Sequence, residues 1–206
     1  GLTQMSLYQI HFPGVWQNEE YWDGLAECYH QGLIKSVGVS NYGPEQMAKA
    51  YKRLKNRGVP LATNQVPYSL LARDAETNGV MRLARELDVK ILAYSPLAQG
   101  ILTGKFNESN LPKGPRSALT RSAIPRVRDL LNELQQIAHK REKTMPQVAL
   151  NWCIAKGTIP IPGARTISQA QENCGALGWL LDECEVKRLD IAARDTQYNI
   201  PNPLAG

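Results

Sequence analysis

The sequence predicts an α/β protein built on a parallel sheet, and three observations lead there. Five short apolar runs, Ser6–Ile10, Ser36–Val39, Leu61–Asn64, Lys90–Ala93 and Thr158–Ile161, have the length of buried strands. The first four recur at roughly 28-residue intervals, the length of one strand–helix unit. Each run is followed by polar or turn residues: His11, Ser40-Asn41, Gln65, Tyr94-Ser95 and Pro162-Gly163. Helices between parallel strands bring all the strand C-termini to one edge of the sheet. Folds of this kind place their sites at that edge, in barrels and open sheets alike.

Amphipathic stretches at Glu19–Gln31, Pro44–Asn56 and Ala75–Leu87 fill the gaps. Each carries apolar residues at three- and four-residue spacing, such as Met47, Ala48, Tyr51 and Leu54. Pro44 and Glu45 suit a first helical turn, and Gly32 and Gly58 suit helix stops. The fourth gap is longer. Asn107–Arg121 is rich in Pro, Gly, Ser and Arg and reads as a long surface loop. Helices follow over Arg126–Lys140 and Pro146–Lys156, with Thr144 and Gln147 at capping-box spacing. After the fifth strand, Ser168 and Gln171 form another capping box that opens a helix to about Leu181. A last helix covers Asp182–Arg194. Residues 1–206 read as a single domain, with an irregular tail over 196–206.

Composition bounds the function. With 206 residues, 43% hydrophobic and 21% charged, the chain has the make-up of a globular domain with a real core. No apolar run approaches the roughly 20 residues of a membrane span, and the first residues do not resemble a signal peptide. The net charge is +5. Lys49, Lys52, Arg53, Lys55 and Arg57 sit at helical spacing among apolar positions and read as a solvated face, so nucleic acid is not an expected partner. Cys28, Cys153, Cys174 and Cys184 show no metal or disulfide spacing, and Cys153 reads as core. Three histidines lack neighbours at ligand spacing, so no metal site is expected.

The segment Ile91–Phe106, ILAYSPLAQGILTGKF, is the most informative. An apolar run ends in Tyr94-Ser95-Pro96, and Gly100, Thr103, Gly104 and Lys105 follow. An aromatic ring, a hydroxyl, backbone N–H groups and a cation together suit a nucleotide carrying a diphosphate. An ordinary βα loop is the alternative reading of the same residues.

LYQIHFPG, GLIKSVGVSNY, NQVPYSLL, AYSPLAQGILTGKF and IPIPGARTISQAQEN together resemble the aldo-keto reductases, in order from about residue 6 to 195. The branch most similar is the plastid and cyanobacterial one, which also resembles the β subunits of potassium channels. The resemblance implies an α/β fold of the TIM (β/α)8-barrel type. It also implies NADP(H) as cofactor, a small carbonyl substrate and reduction of aldehydes or ketones by hydride transfer.

The resemblance assigns His11 as the catalytic histidine, whose N–H would stabilise a developing alkoxide. It assigns Ser40, Asn41 and Gln65 to the nicotinamide carboxamide, which has donor and acceptor sides. Tyr94 would stack on the nicotinamide ring. Ser95, Leu97, Gln99, Gly100 and Lys105 match the pyrophosphate loop, and Arg116, in the long loop, a further phosphate contact. Gly163, Arg165, Gln169, Glu172 and Asn173 match the adenosine end, with Arg165 placed to favour NADP over NAD through its guanidinium.

The chain also departs from the family. A full barrel has eight strands and about 250 residues. Five strands are readable here, corresponding to the fourth to eighth, so the expected architecture is an incomplete barrel, N-terminally truncated. The family's catalytic aspartate, tyrosine and lysine have no counterpart. General acid–base catalysis contributes about 10²–10⁴-fold, so the chain alone is expected to reduce carbonyls negligibly. A non-catalytic nucleotide-binding or regulatory paralogue is the alternative. The unpaired edges at Ser6–Ile10 and Thr158–Ile161 would attract another strand, so a partner chain covering them is expected. The branch suggests a plastid or cytoplasmic location.

Overall fold

The computed structural model describes residues 1–199 apart from 2, 15–17, 108, 113, 115 and 197. Most of the expected tail, residue 197 and residues 200–206, therefore lies outside the described residues. The chain divides into two compact units, one formed by 1–66 with 74–92 and the other by 67–73 with the residues from 93 onward.

The first unit runs β1 (Tyr8–Ile10), α1 (Glu19–His30), β2 (Val37–Ser40), α2 (Pro44–Asn56), β3 (Leu61–Pro67), α3 (Asp74–Thr77), α4 (Val80–Glu86) and into β4 (Lys90–Tyr94). Pro67 and the end of β4 belong to the second unit. The sheet has five strands in the order β1-β2-β3-β4-β5, with β1–β2 and β2–β3 paired in parallel. All four residues of β2 are buried, which is why its apolar run is continuous. Trp22, Leu25 and Ala26 of α1 and Met47, Ala50 and Leu54 of α2 form the buried stripes of their helices. The expected cationic face of α2 is exposed and partly paired: Arg53 bonds Asp23 at 2.7 Å, and Arg57 pairs with Glu27.

One face of the sheet is polar and tightly fitted. Gln9, Gly38 and Thr63 are aligned across β1, β2 and β3. Gln9 Nε2 donates to Val39 O at 3.1 Å and to Thr63 Oγ1 at 3.0 Å. A Cβ on Gly38 would overlap Thr63 Oγ1 and lie 2.8 Å from Gln9 Cγ, so the position holds glycine.

The expected helix Ala75–Leu87 is two helices. Gly79 adopts φ +90°, a left-handed conformation that stops α3 and α4 from joining, and Asn78 Oδ1 accepts from Val80 N at 3.1 Å to start α4.

The second unit contains a short 3-10 helix (Ala98–Thr103), α5 (Arg116–Arg141), α6 (Met145–Ala155), β5 (Ile159–Ile161), α7 (Ile167–Cys174) and α8 (Glu183–Asp195). Its α5 packs on α6 and α8. The expected long loop is corrected here: its second half, from Arg116, belongs to α5. Buried Thr120, Ala123, Ile124, Val127, Leu130, Leu134 and Ile137 continue one stripe through Pro125. That burial outweighs the local cost of a helical proline.

The expected helix from Ser168 to Leu181 is also corrected. Thr166, extended at φ −134°, is the N-cap and its hydroxyl accepts from Gln169 N at 3.2 Å, two residues earlier than the Ser168 box. The helix ends at Cys174, and a turn through Gly178 at φ +82° leads away. The Thr144–Gln147 box is present as expected. Asp182 and Glu185 form one more box, at the start of α8.

Glu185 is the buried charge of this unit, its side chain 2% exposed. Burial opposes its charge, but hydrogen bonds from Arg141 and Lys140 outweigh that and hold its carboxyl down at about 2. A second tie joins α6 to α8 and to the segment after β3. Asp190 accepts from Trp152 Nε1 at 3.1 Å, Lys156 at 3.1 Å and Arg73 at 3.0 Å. Arg73 and Lys156 also lie over the Trp152 ring.

Candidate functional site

In the first unit the residues after the strands form a bonded group. Ser40 and Gln65 are aligned across β2 and β3, two residues beyond Gly38 and Thr63 and so on the same sheet face. Ser40 Oγ donates to Gln65 O at 2.9 Å. Asn41 Nδ2 donates to Ser40 Oγ at 3.0 Å and to His11 O at 3.1 Å, and Asn41 N donates to Gln65 O at 2.8 Å. Asn41 adopts φ +64°, which ends the strand and turns its amide toward β1; asparagine tolerates this conformation better than most residues. Gln65 lies inside β3 rather than after it, because that strand continues to Pro67. His11 directly follows β1, is exposed, and stacks on Phe12 with ring centroids 4.2 Å apart.

A buried group behind this face fixes the Ser40–Tyr42 backbone. Asn64 Nδ2 donates to Tyr42 O at 2.9 Å, while Asn64 Oδ1 accepts from Tyr42 N at 3.4 Å. Tyr42 Oη accepts from Trp22 Nε1 at 3.2 Å, and burial pushes its phenol pKa up. The sequence reading missed Asn64 as a positioning residue. Its signal was a polar residue closing the apolar run Leu61–Asn64.

In the second unit, Tyr94 closes β4. Its carbonyl accepts from Tyr68 N at 3.2 Å, and burial raises its phenol pKa. Ser95, Ala98, Gln99 and Gly100 adopt φ of +53°, +52°, +55° and +95°. Three non-glycine residues in the left-handed region within six positions is a concentration of backbone strain of the kind that clusters at ligand sites. Leu97 lies within this run, and its carbonyl accepts from Gly100 N at 2.9 Å. Lys105 Nζ lies 4.8 Å from the Phe106 ring centroid, and a Cβ on Gly100 would meet both Phe106 and Lys105. Asn110 Nδ2 fixes the Lys105 carbonyl at 2.7 Å. The cation is thus held beside the glycine turn. Arg116 is the first residue of α5, not a loop residue as expected.

Farther along the second unit, Gly163 and Arg165 lie between β5 and α7, and Arg165 is exposed. Arg165 N donates to Gln169 Oε1 at 2.7 Å, and Asn173 Nδ2 reaches Gly163 O at 3.5 Å. Two of the three α7 residues matched to adenine therefore also brace the loop carrying Arg165. Glu172 offers its carbonyl to Gln147 Nε2 at 3.0 Å.

The first unit thus carries bonded amide and hydroxyl groups at a strand edge, and the second carries an aromatic ring, a glycine turn with left-handed residues beside a lysine, and an exposed arginine before a helix. Cys153 is buried, which pushes its thiol pKa up, and packs near Tyr68. Among the described residues no group of three or more His, Cys, Asp or Glu could hold a metal ion, and no helix is long and apolar enough to cross a membrane.

A parallel α/β sheet with polar residues after its strands is the architecture of barrel-type folds, and comparison with known proteins identifies the family. The model of the aldo/keto reductase family matches residues 1–194, and the chain belongs to that family. It is 45% identical over 203 residues to the chloroplastic pyridoxal reductase of Arabidopsis thaliana, covering 95% of this chain and 54% of that protein. It is 29% identical over 211 residues to the aldo-keto reductase yakc [NADP(+)] of Schizosaccharomyces pombe, covering 96% of this chain and 59% of that one. Among solved structures, the glycerol dehydrogenase of Gluconobacter oxydans matches with a TM-score of 0.85 at 30% identity, covering 98% of this chain and 62% of that chain. The chain thus spans a little over half the length of these curated relatives. The family depends on nicotinamide cofactors.

Proposed function

We propose that the chain binds NADP(H) and serves the reduction of an aldehyde or ketone. When bound, the dinucleotide would supply the hydride. Ser40, Asn41 and Gln65 would orient its carboxamide, and Tyr94 would pack against the nicotinamide ring. Ser95, Leu97, Gln99, Gly100, Lys105 and Arg116 would hold the pyrophosphate. Gly163, Arg165, Gln169, Glu172 and Asn173 would hold the adenosine end, with Arg165 selecting the 2′-phosphate. His11 would donate a hydrogen bond to the substrate carbonyl oxygen.

The observation that carries this reading is the set of left-handed residues Ser95, Ala98, Gln99 and Gly100 beside Lys105. Strain of this kind persists where surrounding structure enforces it, commonly at ligand clamps. The cofactor in the yeast relative's name supports NADP(H), and the Arabidopsis relative's name supports an aldehyde substrate and a plastid location. Exposed Tyr8 on β1 and exposed Ile159 and Ile161 on β5, the terminal strands, support pairing with strands of a further polypeptide.

A second reading rests on the resemblance, which assigns no proton-donating tyrosine within residues 1–206. On that reading the chain alone binds nucleotide, or regulates a partner, and reduces carbonyls negligibly. Titration with NADPH, followed by tryptophan fluorescence, and an NADPH-oxidation assay with pyridoxal test both. Saturable binding without turnover supports cofactor binding and the second reading together. Turnover at ordinary enzyme rates overturns the second reading, and absence of binding overturns the first reading and the nucleotide-binding form of the second.

A further inference from the structure

The helix α7 has no buried residue among its eight, so no apolar face anchors it. Polar ties hold it instead. Gln147 Nε2, from the first turn of α6, donates to Glu172 O at 3.0 Å. The same side chain's Oε1 accepts from Thr144 N at 3.0 Å, completing the α6 capping box. Gly175, just past α7, leaves room for this amide; a Cβ there would overlap Gln147 Nε2 and lie 3.0 Å from its Cδ. Beyond α7, fully buried Asn151 donates to Ala176 O at 3.0 Å and Trp179 O at 2.8 Å, and accepts from Leu181 N at 2.9 Å. These bonds pin the chain on the far side of α7. The helix itself rests on Gln147.

We propose that Gln147 is a positioning residue for the adenosine end of NADP(H), acting through α7; this rests on the cofactor reading above. Its oxygen caps α6, and its nitrogen sets the place of the turn that carries Glu172 and Asn173. The two roles belong to different atoms and are separable. Gln147→Glu keeps the cap acceptor, since glutamate serves a capping box as well as glutamine. It removes the donor to Glu172 O and sets a carboxylate against that carbonyl. Gly175→Ala crowds the same amide without changing charge, so it controls for the new carboxylate.

The test uses the full chain and three readouts. Hydrogen exchange measures the opening of α7 without ligand, and calorimetry measures binding of adenosine 2′,5′-bisphosphate and, separately, nicotinamide mononucleotide. In both variants α7 amides are expected to exchange faster, and the bisphosphate to bind about tenfold more weakly, the worth of roughly one hydrogen bond. Nicotinamide mononucleotide affinity is expected to stay the same, and Tm to fall by no more than about 4 °C. Unchanged exchange in α7 overturns the positioning role. Faster exchange with unchanged bisphosphate affinity overturns the link to the cofactor. If the unsubstituted chain binds neither NADPH nor the bisphosphate, the cofactor reading falls and this proposal with it, a result distinct from the other two.

Discussion

Asn64 and Tyr42 exchange hydrogen bonds through the Tyr42 backbone, Nδ2 to O at 2.9 Å and N to Oδ1 at 3.4 Å, with both residues buried. This side chain fixes the turn that follows β2, and the turn sets Asn41 in its left-handed conformation. Replacing Asn64 with Leu leaves a buried N–H and C=O without partners, at a cost of about 2 kcal/mol. Urea denaturation of Asn64→Leu is expected to show that loss, and nicotinamide mononucleotide is expected to bind more weakly. Unchanged stability would remove Asn64 from this role.

Gly38 faces Thr63 and Gln9 across the sheet. Gly38→Ala is expected to destabilise by about 1–3 kcal/mol through overpacking. Thr63→Ala removes the hydroxyl that the new methyl would strike. A double-mutant cycle measured by thermal melts is therefore expected to show the pair less destabilised than the sum of the single changes. Strict additivity would mean that the clash lies elsewhere.

Glu185 makes stability depend on acid. Its carboxyl is held at about 2, below its ordinary 4.5, so the folded state favours the ionised form. That contribution is fully present above pH 4.5 and is lost as the pH falls toward 2. The drop corresponds to roughly 3 kcal/mol. Glu185→Gln is expected to be less stable at pH 7 and to lose less stability between pH 4.5 and 2.5. Parallel pH profiles for the two proteins would contradict the assignment.

Much of this architecture was legible in the chain. The five apolar runs, their spacing and the polar or turn residues after each follow from a parallel sheet whose second strand is buried on both faces, and such patterns are visible in one dimension. Three helical stretches were misread for physical reasons, the first being Ala75–Leu87, which Gly79 divides in two by its left-handed conformation. The composition of Asn107–Arg121 signals a loop, but buried Thr120, Ala123 and Ile124 extend α5 through it. The Ser168 capping spacing is genuine, yet Thr166 adopts the extended conformation first and takes the cap. The site was legible where residues follow strands. Its supports Asn64, Gln9 and Asn151 were not, because their partners lie 17 or more residues away; Gln147 was legible as the cap of α6, but not its bond to Glu172, 25 residues on, which only the folded chain makes.

Arg165 separates the two dinucleotides on the proposed reading. Arg165→Ala is expected to weaken NADPH binding by about ten- to a hundredfold and to leave NADH binding nearly unchanged, since only the former carries the 2′-phosphate. Fluorescence titration of both cofactors checks it. Equal losses for the two would place the arginine elsewhere.

The most direct measurement is a crystal structure of this chain grown with NADP+. The account expects the carboxamide against Ser40, Asn41 and Gln65, the nicotinamide ring on Tyr94, the pyrophosphate over Ser95–Lys105 and the 2′-phosphate at Arg165. Density for the dinucleotide at another surface, or none at saturating concentration, would contradict it.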